Sequence, residues 1–351
     1  MSTLLLRGAE RMERVPWPWL QRRGLKVRWF DRWDSALGLA LAELPDSSEC
    51  SREMFAALLT NPSAARKCAA AVFQNDRPVA VIGLRKTGPL KWDTIGGGGV
   101  APRFLGHSMA GWFFPALASL GLNVHISTQP EQAPARWVRS VEPHQVYSLS
   151  IDGDYESYWR DSGHHKTVRQ ARIRTRGFSV EIDAPGAAEW TIRGWADHWR
   201  SGRTVSWEDL VVAADHYGRA GRFHTVRLMD GREPIAGNTF LVENKGLLAV
   251  TTFMKQEYRD LKVGTRALDA AFQWAASEGF KRVDLGVGHE YKARWAPPSG
   301  LRWSCDVRPW HMHASARLMR RGRAIFSSAA AVAHHAFGAA PRASSADGAS
   351  A

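Results

Sequence analysis

Residues 257–295 read EYRDLKVGTRALDAAFQWAASEGFKRVDLGVGHEYKARW, and this stretch decides the fold class. A polar loop ends at Gly264, after which apolar residues recur at helical spacing up to Gly279, a typical helix-terminating glycine. These apolar residues are Ala267, Leu268, Ala271, Phe272 and Ala275. Because β-rich runs flank the helix at 247–253 and 282–285, the segment predicts a strand–loop–helix–strand unit of an α/β domain.

The same order of elements occurs twice along the chain, which indicates a duplicated architecture. The first copy is predicted to contain a strand at 25–31, helices at 35–44 and 51–59, a hairpin of strands 67–74 and 78–85, a strand at 90–95, a helix at 109–120 and a strand at 123–128. The second copy is predicted to contain a strand at 178–182, helices at 188–200 and 207–217, a hairpin of strands 223–229 and 234–242, and the unit described above. The two copies share no evident residue identity.

The length of the chain and this repeat together predict two α/β domains with a mixed sheet. Each is expected to have its own core, since 351 residues exceed the usual size of one domain. The predicted divisions are an N-terminal extension at 1–24, a first domain at 25–150, a basic linker helix at 151–177, a second domain at 178–310, and a basic helix with a disordered low-complexity tail at 311–351.

A basic stripe lies between the two predicted domains. Lys166, Arg169 and Arg172 recur at three-residue spacing, so a helix would place them on one face. Because the formal net charge is +13, we expect this stripe to line a groove between the domains and to contact an anionic acceptor or the phosphates of a donor. A solvated helix face explains the same spacing equally well.

Cysteine usage and hydropathy exclude several classes of protein. Cys50, Cys68 and Cys305 form no C-x-x-C pair, so neither a disulfide framework nor a metal site is indicated. No run of about 18 apolar residues occurs, which predicts a cytoplasmic protein without a transmembrane segment. The segment RLMRRGRAIF at 317–326 predicts a basic amphipathic helix that could make weak contact with a membrane surface.

The quoted stretch resembles the second half of the GNAT acyltransferase fold, and more narrowly the FemAB-like and CelD-like branch of that superfamily. This branch typically shows a tyrosine, a loop ending in glycine, a helix, a D-x-G motif and a Tyr-Lys pair. Here these are Tyr258, Gly264, Asp284 with Gly286, and Tyr291 with Lys292; segments 166–172 and 78–85 also resemble the branch. The resemblance implies a tandem of two GNAT-like domains in which the C-terminal domain keeps the donor site.

The donor implied by the resemblance is acyl-CoA. Its pyrophosphate would bind backbone N–H groups at the helix start, where the helix dipole attracts anions. The residues concerned are Val263, Gly264, Thr265 and Arg266. Strand 247–253, including Thr251, would bind the pantetheine arm if the adjacent strand splays away. The superfamily's Q/R-x-x-G-x-G/A loop is imperfect, since Leu261 and Arg266 occupy its first and last positions.

The candidate catalytic residues follow strand 282–285. His289 and Glu290 are predicted to act in acid–base catalysis because α/β sites commonly open at this end of a strand. Lys292, within the Tyr291–Lys292 pair, is predicted to stabilise the oxyanion or to hold a phosphate of the acceptor. Trp295 is assigned to substrate binding. The expected acceptor is a small molecule or glycan precursor, such as a sugar, amino sugar or cell-envelope or exopolysaccharide precursor.

Two other functions remain open from the sequence. The basic charge and the imperfect donor loop allow an aminoacyl-tRNA donor, as in the FemAB-like transferases, and nucleic acid would then be a partner. A degenerate, non-enzymatic pair of domains that binds polyanions or serves as a scaffold is the third hypothesis. Binding of acyl-CoA would separate the first hypothesis from the other two.

Overall fold

The computed structural model describes thirteen segments of the chain. They are residues 12–14, 24–31, 34–44, 52–61, 66–88, 91–95, 123–128, 138–151, 155–161, 164–198, 207–243, 246–287 and 290–307. The predicted helix at 109–120 and the C-terminal basic helix and tail lie outside these residues. None of the described helices is long and apolar enough to cross a membrane.

In the described part of the N-terminal half, a pair of helices lies between the second and the third strand. The elements of this half are β1 (Met12–Arg14), β2 (Leu25–Phe30), α1 (Ser35–Ala42), α2 (Arg52–Thr60), β3 (Lys67–Gln74), β4 (Arg77–Lys86), β5 (Lys91–Thr94), β6 (Asn123–Thr128) and β7 (Val138–Ser150). Two helices then join the halves, where one basic helix was predicted. They are α3 (Tyr155–Asp161) and α4 (His165–Arg174).

The C-terminal half repeats this order. Its elements are β8 (Ser179–Ile182), α5 (Ala187–His198), α6 (Trp207–Arg219), β9 (Phe223–Asp230), β10 (Glu233–Glu243), β11 (Gly246–Met254), α7 (Val263–Ser277), β12 (Arg282–Val287) and β13 (Pro298–Val307). Short 3-10 helices occupy Gln256–Leu261 and Glu290–Arg294. The predicted mixed α/β fold with a duplicated architecture is confirmed.

The described strands form one 13-stranded sheet in which, apart from the edge strand β1, the two halves follow the same order from the two edges to the centre. The order is β1-β2-β3-β4-β5-β6-β13-β7-β12-β11-β10-β9-β8. Strands β5 and β6 are parallel, as are their counterparts β11 and β12. At the centre the halves exchange strands, since β13 pairs with β6 and β7 pairs with β12.

The corresponding hairpins β3–β4 and β9–β10 show the same local irregularity, which supports the duplication at residue level. In the β3–β4 hairpin the register skips Val79, between Pro78 and Ala80. In the β9–β10 hairpin it skips Ile235, which also follows a proline and precedes an alanine. An extra residue at one position of a strand pair is a β-bulge. Sequence comparison alone did not reveal this identity between the copies.

The helices of both halves share a core, so the prediction of two separate cores is wrong. One face of the sheet carries a hydrophobic cluster that contains Leu41 and Leu58 from the first half and Ile192 and Leu210 from the second. Burying apolar surface from both halves in a single cluster makes the two halves stabilise each other. The cluster on the opposite face contains residues of α3 and α7.

A buried ion pair also joins the halves. The Lys67 ammonium on β3 donates to the Asp209 carboxylate on α6, and their side chains are only 4% and 2% exposed. Lys67 donates further to the backbone oxygens of Leu58, at 2.9 Å, and Asn61, at 3.3 Å. Such hydrogen bonds are needed to offset the cost of removing a charge from water.

Candidate active site

Strands β11 and β12 open into a fork in the C-terminal half. Their parallel pairing, within the described residues, ends with Leu248 opposite Asp284. Beyond this point β11 continues to Met254 along β10, whereas β12 continues to Val287 along β7. The two strands therefore diverge, and their facing backbone edges offer hydrogen-bonding groups to an extended ligand. We call the opening between β11 after Leu248 and β12 after Asp284 the fork.

Helix α7 begins directly after the loop that follows β11. Lys262 adopts a left-handed conformation with a φ of 60° and gives the helix no side-chain cap. The first intrahelical hydrogen bond runs from the Arg266 N–H to the Lys262 oxygen, at 3.0 Å. The backbone N–H groups of Val263, Gly264 and Thr265 precede it and have no acceptor within the helix. The backbone N–H of Arg266, assigned above to pyrophosphate, is therefore already used by the helix.

Gly264 is needed for the close approach between the start of α7 and the end of β11. A Cβ atom on Gly264 would lie 2.8 Å from the sulfur of Met254. That distance is shorter than a normal contact, so a larger side chain must displace Met254. The helix start and the last residue of β11 are thus neighbours at the open end of the fork.

Thr251 lies on β11 beside the fork, but its side chain is buried and faces Thr239 on β10. The two hydroxyls are 2.6 Å apart, and the Thr251 N–H also donates to the Thr239 hydroxyl. The side chain is therefore engaged within the sheet. The Thr251 N–H and hydroxyl are thus both directed to β10, so the prediction that Thr251 contacts the donor is not supported by this geometry.

Lys292 reaches the fork from the second 3-10 helix. Its ammonium donates to the backbone oxygens of Leu285, at 2.6 Å, and Val287, at 2.8 Å. A Cβ on Gly286 would lie 3.9 Å from both the Lys292 nitrogen and the Ala249 oxygen on β11. The ammonium thus lies next to the point where the two strands separate.

The D-x-G motif shapes β12 at the same place. The Asp284 carboxylate accepts a 2.6 Å hydrogen bond from the Gly286 N–H, and Gly286 has a φ of 71°. The pairing of β12 with β7 shifts register between these residues. A positive φ favours glycine, so Gly286 permits this register shift beside the two oxygens that Lys292 contacts.

The remaining predicted catalytic residues are placed less fully. Tyr291 is 40% exposed on the second 3-10 helix. Glu290 begins this helix, but its side chain lies outside the described residues, as does all of His289. Their roles in acid–base catalysis stay predictions.

Trp295 packs in the core instead of facing a groove. It is 6% exposed, and its ring lies 5.3 Å from the ring of Phe272 and 5.3 Å from that of His164. Aromatic contacts at this distance stabilise the interior of a domain. Its assignment to substrate binding therefore conflicts with its burial.

The basic stripe on α4 divides into two exposed residues and one internal ion pair. Lys166 and Arg169 are exposed. Arg172 instead donates to Asp269 through Nε, at 2.9 Å, and Nη2, at 2.8 Å, and also to Glu156, at 2.9 and 3.0 Å. Arg172 thus holds α3, α4 and α7 together, and the prediction that it contacts a ligand is not supported by this geometry.

The carboxylate at the centre of this arrangement belongs to Asp269, a residue that was not predicted to contribute to the site. Asp269 is 0% exposed on α7 and accepts hydrogen bonds from Tyr155 and Arg266 as well as from Arg172. Burial, together with the Asp269 charge, raises the pKa of Tyr155. Hydrogen bonds from Arg172 lower the pKa of Glu156 to about 2. An acidic residue within the apolar stripe of a helix was the signal that could have identified Asp269.

Helix α4 also contacts the loop that leads to α7. The Lys262 ammonium donates to the Gln170 side chain at 2.6 Å, and Arg174 donates to the Asp260 backbone oxygen at 2.5 Å. Both contacts come from the helix that carries the exposed Lys166 and Arg169. These cations therefore belong to a helix anchored at the start of α7.

The region that contains the fork and α7 matches a known protein-family model. Residues 162–295 match the family model described as the acetyltransferase (GNAT) domain. The C-terminal half contains a GNAT-type domain. The matched region includes α4, the fork, α7 and Lys292, and it begins upstream of the domain boundary predicted at 178.

Solved structures show that the likeness in fold extends well beyond the GNAT-type domain. The C-terminal domain of a protein described as a lysylphosphatidylglycerol synthetase from Agrobacterium fabrum has a TM-score of 0.51 and 12% identity, covering 80% of this chain and 95% of its own. L-PGS from Bacillus licheniformis has a TM-score of 0.50 and 13% identity, covering 83% and 98%. A tandem GNAT protein from the clavulanic acid biosynthesis pathway has a TM-score of 0.48 and 13% identity, covering 81% and 99%. None of the curated proteins matches this chain significantly.

Proposed function

We propose that the GNAT-type domain is an acyl-CoA-dependent N- or O-acyltransferase. The observation that carries this proposal is the fork, which opens between β11 and β12 beside the start of α7. An extended donor with a phosphorylated end needs strand edges for its arm and free N–H groups for its phosphates. The domain presents both within the matched region.

The residues at the fork have complementary proposed tasks. Acyl-CoA would supply the activated acyl group. Val263, Gly264 and Thr265 would hold its pyrophosphate through backbone N–H groups, and the edge of β11 would orient its pantetheine arm. Lys292 would stabilise negative charge that develops on the thioester oxygen as the acceptor attacks. Glu290 or His289 would take the proton from the attacking amine or hydroxyl.

For the acceptor we propose a sugar, an amino sugar or a cell-envelope or exopolysaccharide precursor. Its support is the sequence resemblance to the FemAB-like and CelD-like branch. The exposed Lys166 and Arg169 would suit an acceptor that carries phosphate.

Binding of CoA tests the proposed function directly. A ligand that binds only the folded protein raises the free energy of unfolding by about 2.7 kcal/mol at a hundredfold excess over its Kd. We expect CoA and short acyl-CoAs to raise the Tm of the protein, and adenosine, which lacks phosphate, to leave it unchanged. No shift with any CoA would reject the proposal.

A second candidate function, transfer from aminoacyl-tRNA, is favoured by the charge of the chain. The formal net charge is +13, and Lys166 and Arg169 are exposed on the helix that contacts the start of α7. Affinity for tRNA should fall steeply with salt because binding releases many counterions. Tight, salt-sensitive binding of tRNA without binding of CoA would favour this function, and binding of neither would favour a scaffold.

Replacing Gly264 with valine is expected to weaken CoA binding about tenfold, because the added methyl groups approach Met254 and disturb the N–H groups at the helix start. Isothermal titration with CoA measures this change. Gly218 is a suitable control, since a Cβ there meets no atom within 4 Å. Equal CoA affinity of Gly264→Val and the unaltered protein would contradict the assignment of the helix start.

Replacing Arg169 with glutamate is expected to weaken binding of the phosphate-bearing donor or acceptor. The affinity for that ligand should also depend less on salt concentration. The reason is that an exposed cation contributes mainly through screened, long-range attraction. Titrations at two or more salt concentrations measure the effect. Arg219→Glu controls for the change in net charge, because Arg219 is 78% exposed on α6, where it pairs with Asp215. If both variants behaved alike, Arg169 would be an ordinary solvated residue.

A further inference from the structure

The buried carboxylate of Asp269 is bound by two arginines, Arg172 and Arg266. This carboxylate is 0% exposed and is bound in a bidentate manner by Arg172, at 2.8 and 2.9 Å. Tyr155 adds a hydrogen bond at 3.1 Å. A bidentate arginine is already a strong partner for a buried carboxylate. The additional hydrogen bond from Arg266, at 3.0 Å, therefore calls for another explanation.

Arg266 lies in the first turn of α7, immediately after Gly264 and Thr265. Within the described part of the chain, its guanidinium makes one side-chain hydrogen bond, through Nη1 to Asp269. Its side chain is 19% exposed, and none of its nitrogens is among the buried atoms that lack a partner. A guanidinium carries five N–H donors, so Arg266 keeps donors that solvent, or a ligand, can reach.

The contact with Asp269 fixes the direction of this side chain. A free arginine side chain loses rotamer entropy when a ligand orders it, whereas one that is already held loses less. Arg172 anchors Asp269 to α4 and Glu156 to the same cluster, so the carboxylate itself cannot swing away. Arg266 is thus presented from a rigid support.

We propose that Asp269 is a positioning residue that fixes Arg266 to bind a phosphate group of the donor. The inference rests on the proposed function, in which that donor is acyl-CoA held at the start of α7. Arg266 touches the phosphate, and Asp269 acts only through Arg266. The imperfect donor loop, with arginine where the superfamily has glycine or alanine, then gains a phosphate-binding side chain at the position that departs from the motif.

The direction in which Asp269→Asn changes the affinity for CoA distinguishes a positioning role of Asp269 from a purely electrostatic one. Asp269→Asn removes a negative charge close to the proposed phosphate. If charge alone mattered, losing this repulsion would strengthen CoA binding. If Asp269 acts by orienting Arg266, the same substitution should weaken CoA binding.

The experiment is a double-mutant cycle on the full chain, with the Kd for CoA measured by isothermal titration. The four proteins are the unaltered chain, Arg266→Ala, Asp269→Asn and the double variant. We expect Arg266→Ala to raise the Kd about tenfold, which corresponds to about 1.4 kcal/mol. Asp269→Asn should raise the Kd several-fold alone but change it less than about twofold when Arg266 is already alanine.

Tyr155→Phe is the matched control. It removes another hydrogen bond to the same carboxylate without touching Arg266, so it should leave the Kd for CoA unchanged. Circular dichroism at the titration temperature checks that each variant is folded. Arg266→Ala keeps the buried pair of Asp269 and Arg172 intact, and it tests the proposal even if Asp269→Asn fails to fold.

Three results would overturn the inference: CoA binding by Arg266→Ala equal to that of the unaltered protein, stronger binding by Asp269→Asn, or an equal effect of Asp269→Asn in both backgrounds. Failure of the unaltered protein to bind CoA is a distinguishable outcome. It would reject the proposed function itself, and with it the inference.

Discussion

Lys292→Met is expected to reduce acyl-CoA-dependent turnover about a hundredfold or more, the usual scale for losing one electrostatic stabiliser of a transition state. Methionine keeps the length of the side chain and removes its charge. The ammonium lies at the fork, within hydrogen-bonding distance of the Leu285 and Val287 oxygens. Release of free CoA from acyl-CoA in the presence of an acceptor measures turnover.

The same ammonium also supports the end of β12, so a structural role must be separated from a catalytic one. A catalytic role leaves the Tm and the Kd for CoA near those of the unaltered protein while turnover falls. Lys281→Met provides a control, since Lys281 is an exposed lysine next to the start of β12. Loss of a general base should remove one limb of the pH–rate profile, whereas loss of Lys292 should lower the whole profile. Near-normal turnover of Lys292→Met would reject this placement of the active site.

Lys67→Met is expected to destabilise the protein by about 3–5 kcal/mol, because it leaves the Asp209 carboxylate buried without its cation. The loss should appear in both halves at once, since their helices share a core. Urea unfolding followed by tryptophan fluorescence and by far-UV circular dichroism measures it. Coincident transitions would show that the halves unfold together.

Two further variants sharpen this result. Replacing both partners, as Lys67→Met with Asp209→Leu, should recover much of the lost stability, because no unpaired charge remains. Arg219→Ala removes an exposed pair with Asp215 and should have little effect. A loss of stability by Lys67→Met no larger than that of Arg219→Ala would mean that the interior pair does not hold the halves together.

The ion-pair cluster around Arg172 makes the stability of the folded protein depend on pH. Because Arg172 lowers the pKa of Glu156 from 4.5 to about 2, their interaction is fully present above the ordinary pKa of a glutamate. It is lost as the pH falls towards 2, where the folded protein also binds the proton. Stability should therefore decline over this acidic interval, less so in Arg172→Lys, which lacks the forked geometry.

The elements with a strong local signal were predictable from the sequence. Strand β3 has the predicted bounds, and α7 begins one residue before the predicted Gly264. The β3–β4 turn has positive φ angles at Asn75 and Asp76, the geometry that two-residue hairpin turns require. In each of these cases, neighbouring residues alone determine the conformation.

The exchanged strands could not be predicted, because their stability depends on distant partners. β7 contains Pro143 and β13 begins at Pro298, and a proline in either segment counts against predicting a central strand there. Dependence on distant partners also explains why some predictions for the candidate active site were wrong. The three-residue spacing correctly placed the basic residues on one face of α4. It could not show that Arg172 turns inward, because its partner Asp269 lies 97 residues away in the sequence. The fork is likewise defined by where pairing stops, which no local motif encodes.

The strand exchange at the centre of the sheet relates the fold of this chain to that of a two-subunit protein. If the chain were cut between β7 and β8, each fragment would lend its last strand to the other's half of the sheet, as the subunits of a domain-swapped homodimer do. The topology of the molecule is therefore that of such a dimer with its two subunits joined through α3 and α4. Because both copies lie in one chain, a substitution in one fork leaves the corresponding strands of the other half unchanged. The second of the joining helices, α4, belongs to the matched GNAT-type region and is held to α7 by the contact of Arg172 with Asp269.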